Sequence, residues 1–370
     1  MTDLLYSDTE EALRDSVRRL FTDRCPPESV ISVYDPAPQD FSGLWQTLAA
    51  DLGMAGLLVP EELGGAGAGP REAAVVMEEI GRAVAPVPFL TSAVLATVAL
   101  LEAAGTEATD TVKQLAAGSL TAALAVPLST APGDAVVGVS VSDSASGLTG
   151  RVTSVAGARE ADVLVVPVVG SEGLELHTVS RDAAGVQVSD VLTLDMTRSL
   201  GDIEFSHAAS SRVGNASAEA ALTAALQTGA ALLASEQLGI AQWCFDTTLA
   251  YAKQRKQFGR AIGSYQAIKH RLADLWIDVN SAAAAARYAA DTCSRRDDEA
   301  AIAAAVAQAY CSGIAVHAAE ECDQLHGGIG MTWEYPAHLY LKRAKSDQLA
   351  FGTAYRHRAR LAGLVDLPVS

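Results

Sequence analysis

Tyr251-Ala252-Lys253-Gln254-Arg255-Lys256-Gln257-Phe258-Gly259, closed by Ile262-Gly263-Ser264-Tyr265-Gln266, lies in a region of helical apolar spacing that runs from Ala216 nearly to the C-terminus. Its companion is Gln324-Leu325-His326-Gly327-Gly328-Ile329-Gly330-Met331, with Glu334-Tyr335-Pro336 just beyond. Taken singly, Arg255-Lys256 reads as a solvated helix face and Gly327-Gly328 as a turn between helices. Between them, Ile268, Leu272, Leu275 and Val279 make one apolar face, and the run Ala282 to Ala286 suits close helix–helix contact.

The pattern changes upstream. From Glu10 to about Gln114 the period is again helical, with stripes Leu13-Val17-Leu20 and Leu44-Leu48-Leu52. The stretch Val59 to Gly67 holds proline and glycines that break a helix into a loop. From about Leu120 to Arg212, β-branched runs at 135–141, 163–169 and 174–179 alternate with Gly, Asp and Ser clusters. This order predicts an α+β fold: an N-terminal helical domain (1–119), a middle antiparallel β-domain (120–214) and a C-terminal four-helix bundle (215–370).

Composition narrows the function. The chain has 370 residues, 49% hydrophobic and 19% charged, enough for packed cores in more than one domain. A net charge of −17 argues against a nucleic-acid partner. The five cysteines, Cys25, Cys244, Cys293, Cys311 and Cys322, form no CxxC pair, which fits a reducing cytoplasm rather than a disulfide framework or a zinc site. The N-terminus lacks the features of a signal peptide, and polar residues interrupt the apolar stretches, so no membrane span is expected. His317, His326 and His338 fall at no metal-ligand spacing and read as surface or loop residues. The basic runs Lys342-Arg343 with Lys345, and Arg356 to Arg360, read as solvated helix faces.

In order and spacing, the two C-terminal motifs resemble those of the acyl-CoA dehydrogenase family. Val59 to Gly67 and Glu78-Glu79-Ile80-Gly81 resemble its N-terminal loop and the helix after it. The resemblance implies FAD held between subunits of a homotetramer or heterotetramer, an acyl-CoA substrate, and an electron-transfer flavoprotein as redox partner. It implies that Arg255 reaches the FAD pyrophosphate of a neighbouring subunit, where a guanidinium forks onto phosphate oxygens. Phe258 would pack near the adenosine. Gln266 and Gln324 would contact the ADP half, and Gly327 and Gly328 would let backbone N–H groups approach phosphate. Thr353 joins these cofactor contacts.

The family chemistry is α,β-dehydrogenation of an acyl thioester. A carboxylate takes the α-proton and the β-hydrogen leaves as hydride to the flavin. The base usually directly precedes a Gly-Thr pair. Here that pair is Gly352-Thr353, so Phe351 occupies the base position, and a phenyl ring accepts no proton. Its backbone N–H remains a candidate donor to a thioester oxygen. The minority position of the base, thirteen residues before Gln242, is Gly229. Glu236 lies two turns further on, about 10 Å along the same helix face, in a mostly apolar run where burial would raise its pKa. It is the candidate displaced base, against a structural role as a paired carboxylate; Asp347 and Glu334 are weaker candidates. The family's acidic flavin loop and tryptophan strand are replaced by Ala125-Val126-Pro127-Leu128-Ser129-Thr130 and Ser154 to Ala158. Three readings follow: a working dehydrogenase with a displaced base, a non-catalytic partner subunit that completes a related chain's FAD site, or other chemistry on a CoA thioester. The third lacks a nucleophilic constellation.

Overall fold

The computed structural model describes residues 4–136, 138–141, 147–171, 173–214 and 217–367. The N-terminal part carries α1 (Asp8–Arg24), α2 (Pro27–Val30), α3 (Ser42–Gln46), α4 (Pro70–Ala83), α5 (Thr97–Ala103) and α6 (Thr106–Ala116). Helix α1 starts at a capping box. Ser7 Oγ accepts from the Glu10 N–H at 3.2 Å, and Glu10 Oε2 accepts from the Ser7 N–H at 2.6 Å. Val17 and Leu20 of the expected stripe are buried, and Leu13 packs at its edge.

Strands β1 (Ala122–Leu124), β2 (Val139–Val141), β3 (Leu148–Ala156), β4 (Val163–Gly170), β5 (Gly173–Ser180), β6 (Val186–Val191), β7 (Leu200–Ala208) and β8 (Ser211–Arg212) form the middle sheet. Its order is β6-β7-β3-β2-β4-β5-β8, with β1 also on β4. The expected strand at 135–141 is realised as β2 alone, residue 137 lying outside the described residues. The sheet is mainly antiparallel but mixed, because β1 and β2 both run parallel to β4. Strand β4 is buried from Leu164 to Val168, as its unbroken apolar run requires.

The C-terminal part holds α7 (Ala218–Gln254), α8 (Gln266–Ser294), α9 (Ala300–His326), α10 (Ala337–Leu349) and α11 (Ala354–Leu364), with a hairpin of β9 (Lys256–Gln257) and β10 (Arg260–Ala261) after α7. Residues Ala300–Ile329 are long and apolar enough, by length and composition alone, to cross a membrane, yet 56% of the most apolar window is buried within the molecule, as in a core helix.

Helix α7 is the axis of the molecule and crosses α4 through two glycines. A Cβ on Gly81 would stand 2.0 Å from the Glu236 carbonyl oxygen, and one on Gly239 would stand 1.9 Å from that of Glu78. Only hydrogen at both positions lets the backbones meet. That crossing seats Glu236 in the interior.

Candidate functional site

The two positions where the resemblance would place a base are brought together, and they are filled. Phe351 is 1% exposed. A Cβ on Gly229 would lie 3.0 Å from Phe351 Cζ and 2.5 Å from Leu95 Cδ2. The space that a side chain at 229 would need is therefore taken by the phenyl ring and Leu95 together. Phe351 sits in the left-handed region, φ 54°, followed by Gly352 at φ 95°. Its N–H donates to the Leu128 carbonyl at 2.8 Å. This corrects the expectation that the amide is open to a thioester oxygen: it is already spent on the middle domain.

Glu236 is corrected as a displaced base. It is fully buried at the end of two guanidiniums: Arg198 Nη2 donates at 2.7 and 2.6 Å, and Arg343 Nη1 at 2.5 Å. Burial pushes its carboxyl up, but Arg198 and Arg343 outweigh that and hold it below the ordinary value. A carboxylate with both oxygens committed to buried arginines is a poor proton acceptor. Arg343 is buried rather than solvated; its Nε donates to Asp195 Oδ2 at 2.7 Å and its Nη2 to Thr197 Oγ1 at 2.6 Å. Arg198 Nη1 donates to Asp347 Oδ1 at 2.6 Å. Each domain thus lends an arginine to the other's carboxylates. Burial and the nearby Glu236 charge push the Asp347 carboxyl well above its ordinary value, against the pull of Arg198 and Arg343. No periodicity or motif marks Arg198, Asp195 or Thr197, which lie on the connection between β6 and β7; the structure alone finds them.

The other predicted residues fall into two groups. Arg255 ends α7, and Phe258 with Gly259 forms the two-residue turn of the β9–β10 hairpin, at φ 51° and 80°. Two left-handed residues match the twist of such a hairpin, but a bulky aromatic pays for that conformation. Tyr265 braces the hairpin: Arg260 stacks on its ring at 3.9 Å, and its hydroxyl donates to the Gln257 carbonyl at 3.2 Å. Phe258 is 91% exposed. Gln266 is exposed at the first turn of α8. Gln324, Gly327 and Gly328 are exposed at the end of α9, and nothing lies within 4 Å of a Cβ on either glycine.

The two motifs meet at one end of the bundle, because Tyr251, four residues before Arg255, stacks on His326 at 4.3 Å. His326 is buried, not a surface residue. Its Nδ1 lies 2.7 Å from the Cys322 carbonyl and its Nε2 2.7 Å from the Tyr335 hydroxyl. Thr353 belongs elsewhere: its hydroxyl caps α11, accepting from the Arg356 N–H, beside the filled pocket.

The two regions differ in what they can hold. At the hairpin and the α9 end, a free guanidinium, two unobstructed glycines and an exposed ring suit an adenine dinucleotide pyrophosphate. Among the described residues the Arg255 side chain has no ion pair or hydrogen bond. In the loop that replaces the family's flavin segment, the N–H groups of Ala125, Val126, Leu128 and Thr130 donate to Val165, Leu124, Ser154 and Pro127. Those four donors are committed within the chain, so a flavin ring there would have to compete for them.

Residues 7–118 match the family model of the acyl-CoA dehydrogenase N-terminal domain, and residues 219–363 that of the acyl-CoA dehydrogenase C-terminal domain. Acyl-CoA dehydrogenase IpdE2 of Mycolicibacterium smegmatis is 33% identical over 96% of this chain and 98% of its own. The solved ChsE4-ChsE5 complex from Mycobacterium tuberculosis contains a chain 27% identical, with a TM-score of 0.87 over 100% of both chains. A Tcur3481-Tcur3483 steroid ACAD structure aligns at 29% identity, with a TM-score of 0.84 over 97% of this chain and 98% of that one. Two domain matches in order, and full-length likeness above the level of shared fold alone, place it: the chain belongs to the acyl-CoA dehydrogenase family.

Proposed function

We propose that this chain is a subunit of a FAD-dependent acyl-CoA dehydrogenase, acting on an acyl-CoA thioester as the non-catalytic partner of a related chain. The observation that carries this reading is the hairpin. Phe258 is held in a left-handed turn with its ring 91% exposed beside the unpaired Arg255, an arrangement that gains nothing within the chain. Against a neighbour, Arg255 would grip the pyrophosphate of the neighbour's FAD, Phe258 would cover its adenosine, and Gln324, Gly327 and Gly328 would close around the phosphates. The bound flavin supplies the hydride acceptor for the β-hydrogen. The α-proton goes to a carboxylate of the related chain, since this chain offers none there.

Likeness to the ChsE4-ChsE5 complex and to the Tcur3481-Tcur3483 structure, each named for two chains, supports a related-subunit partner. Reoxidation by an electron-transfer flavoprotein and a cytoplasmic setting belong to the same proposal; the five free cysteines support the latter. The displaced-base alternative loses its residue, because Glu236 is committed to Arg198 and Arg343.

The test is anaerobic addition of acyl-CoA thioesters to the chain alone and to the chain co-expressed with related subunits of its host. A colourless chain alone, and a co-purified complex whose flavin bleaches, is the expected result. Flavin bleaching by the chain alone overturns the non-catalytic assignment.

A further inference from the structure

We infer that this chain's own counterpart of the catalytic pocket serves as a joint between the middle sheet and the helical bundle, and admits no flavin ring. The joint has a ring, a backbone bond and an ion pair. Phe351 fills the space against Gly229 and Leu95. Its N–H donates to Leu128, and the Leu128 N–H in turn donates to the Ser154 carbonyl in β3 at 3.0 Å. Bundle, loop and sheet are therefore linked in series. One residue on, a Cβ at Gly352 would stand 3.0 Å from the Ala131 methyl, so chain and loop touch without a gap.

Beyond that, Arg356 Nη2 donates to Asp134 Oδ1 at 2.6 Å, while Asp134 Oδ2 accepts from the Ala131 N–H at 2.9 Å. The 128–134 loop is thus tied to the 351–356 segment at both of its ends. A flavin ring or thioester entering here would have to break an inter-domain backbone hydrogen bond, expel a buried phenyl ring and leave polar groups unpaired. The pocket and the outward hairpin are complementary. One part of the chain gives up a ligand site for domain cohesion, while the other presents contacts that the chain does not use itself. The inference rests on the subunit reading only for stoichiometry; the closure is a property of the chain alone.

The experiment is hydrogen exchange on the purified chain with and without FAD, together with flavin content of the chain and of any complex it forms. Expected are a Phe351 amide that exchanges slowly and identically in both conditions, no FAD-dependent protection in 125–130, and a single flavin for each pair of unlike chains. FAD that protects only the Arg255 to Gly259 and Gln324 to Gly330 segments also supports the joint. A Phe351 amide that exchanges fast and becomes protected on adding FAD overturns it, as does one flavin per copy of this chain. If no related chain associates and Phe351 stays protected, the subunit proposal falls and the joint stands.

Discussion

The ring of Phe351 and Leu95 together close the space beside Gly229: Phe351 Cζ stands 3.0 Å and Leu95 Cδ2 2.5 Å from the Cβ that Gly229 lacks. The two residues are steric complements, and neither can change freely without the other. Gly229→Ala is expected to destabilise the chain by about 1–3 kcal/mol through overpacking. Phe351→Ala should cost about 3–5 kcal/mol through the cavity it leaves. The double variant should be more stable than the sum of the two losses, as read by urea denaturation. Strict additivity would show that the residues do not share the space.

Glu236→Gln tests the buried arginine pair. It removes the anion shared by Arg198 and Arg343 and should cost about 3–5 kcal/mol in stability. Because the folded-state pKa of Glu236 lies below 4.5, its contribution is present above that value and is lost as pH falls through the depressed one. Acid unfolding of the native chain should therefore begin at higher stability and fall more steeply than in Glu236→Gln. In the two-chain complex, loss of flavin bleaching with unchanged stability would instead mark Glu236 as a base.

Asp347 should behave in the opposite sense. Its folded-state pKa is raised well above 3.8, so the folded chain holds a proton that the unfolded chain releases, and stability drains away as pH rises from about 4 towards the folded value. Asn at this position keeps an oxygen for Arg198 and has no proton to lose. Asp347→Asn should match the native chain near pH 4 and exceed it near neutrality, in denaturation midpoints across that range. A large loss near neutrality would mean that the native carboxyl is charged.

Two glycine-to-alanine changes inside helices should have opposite signs. Gly239→Ala drives a methyl to 1.9 Å from the Glu78 carbonyl oxygen and must separate α4 from α7. Its cost should reach or pass the upper end of about 1–3 kcal/mol. Gly313 in α9 has nothing within 4 Å of its would-be Cβ, so Gly313→Ala should stabilise by about 0.5–1 kcal/mol through helix propensity. Thermal melts of both variants check it: a Gly239→Ala chain that melts with the native one would mean that α4 and α7 are not in backbone contact there.

Arg255→Ala and Phe258→Ala touch side chains that the isolated chain does not use, so its melting temperature should not move. In the two-chain complex the same variants should lower flavin retention, Arg255→Lys less than Arg255→Ala, because an ammonium keeps the charge but not the fork. Unchanged flavin content on size-exclusion chromatography would remove the hairpin from the cofactor site.

By itself the sequence determined the helical–β–helical order, the apolar faces of α1 and α8, the buried run of β4, and the two motifs that meet at Tyr251 and His326. It also showed that Phe351 and Gly229 supply no base. All of these rest on local periodicity, on turn residues, or on the identity of a side chain, and none requires knowing what lies opposite. The tertiary structure decided the rest. It turned Arg343 from an expected surface cation into the buried partner of Asp195 and Glu236. It made Glu236 a structural anion, and it spent the Phe351 amide on Leu128. Each depends on a partner far away in the chain. Burial alone would raise a carboxyl, and two guanidiniums brought in by folding reverse the sign. A charge's environment, unlike its spacing, exists only once the chain has packed.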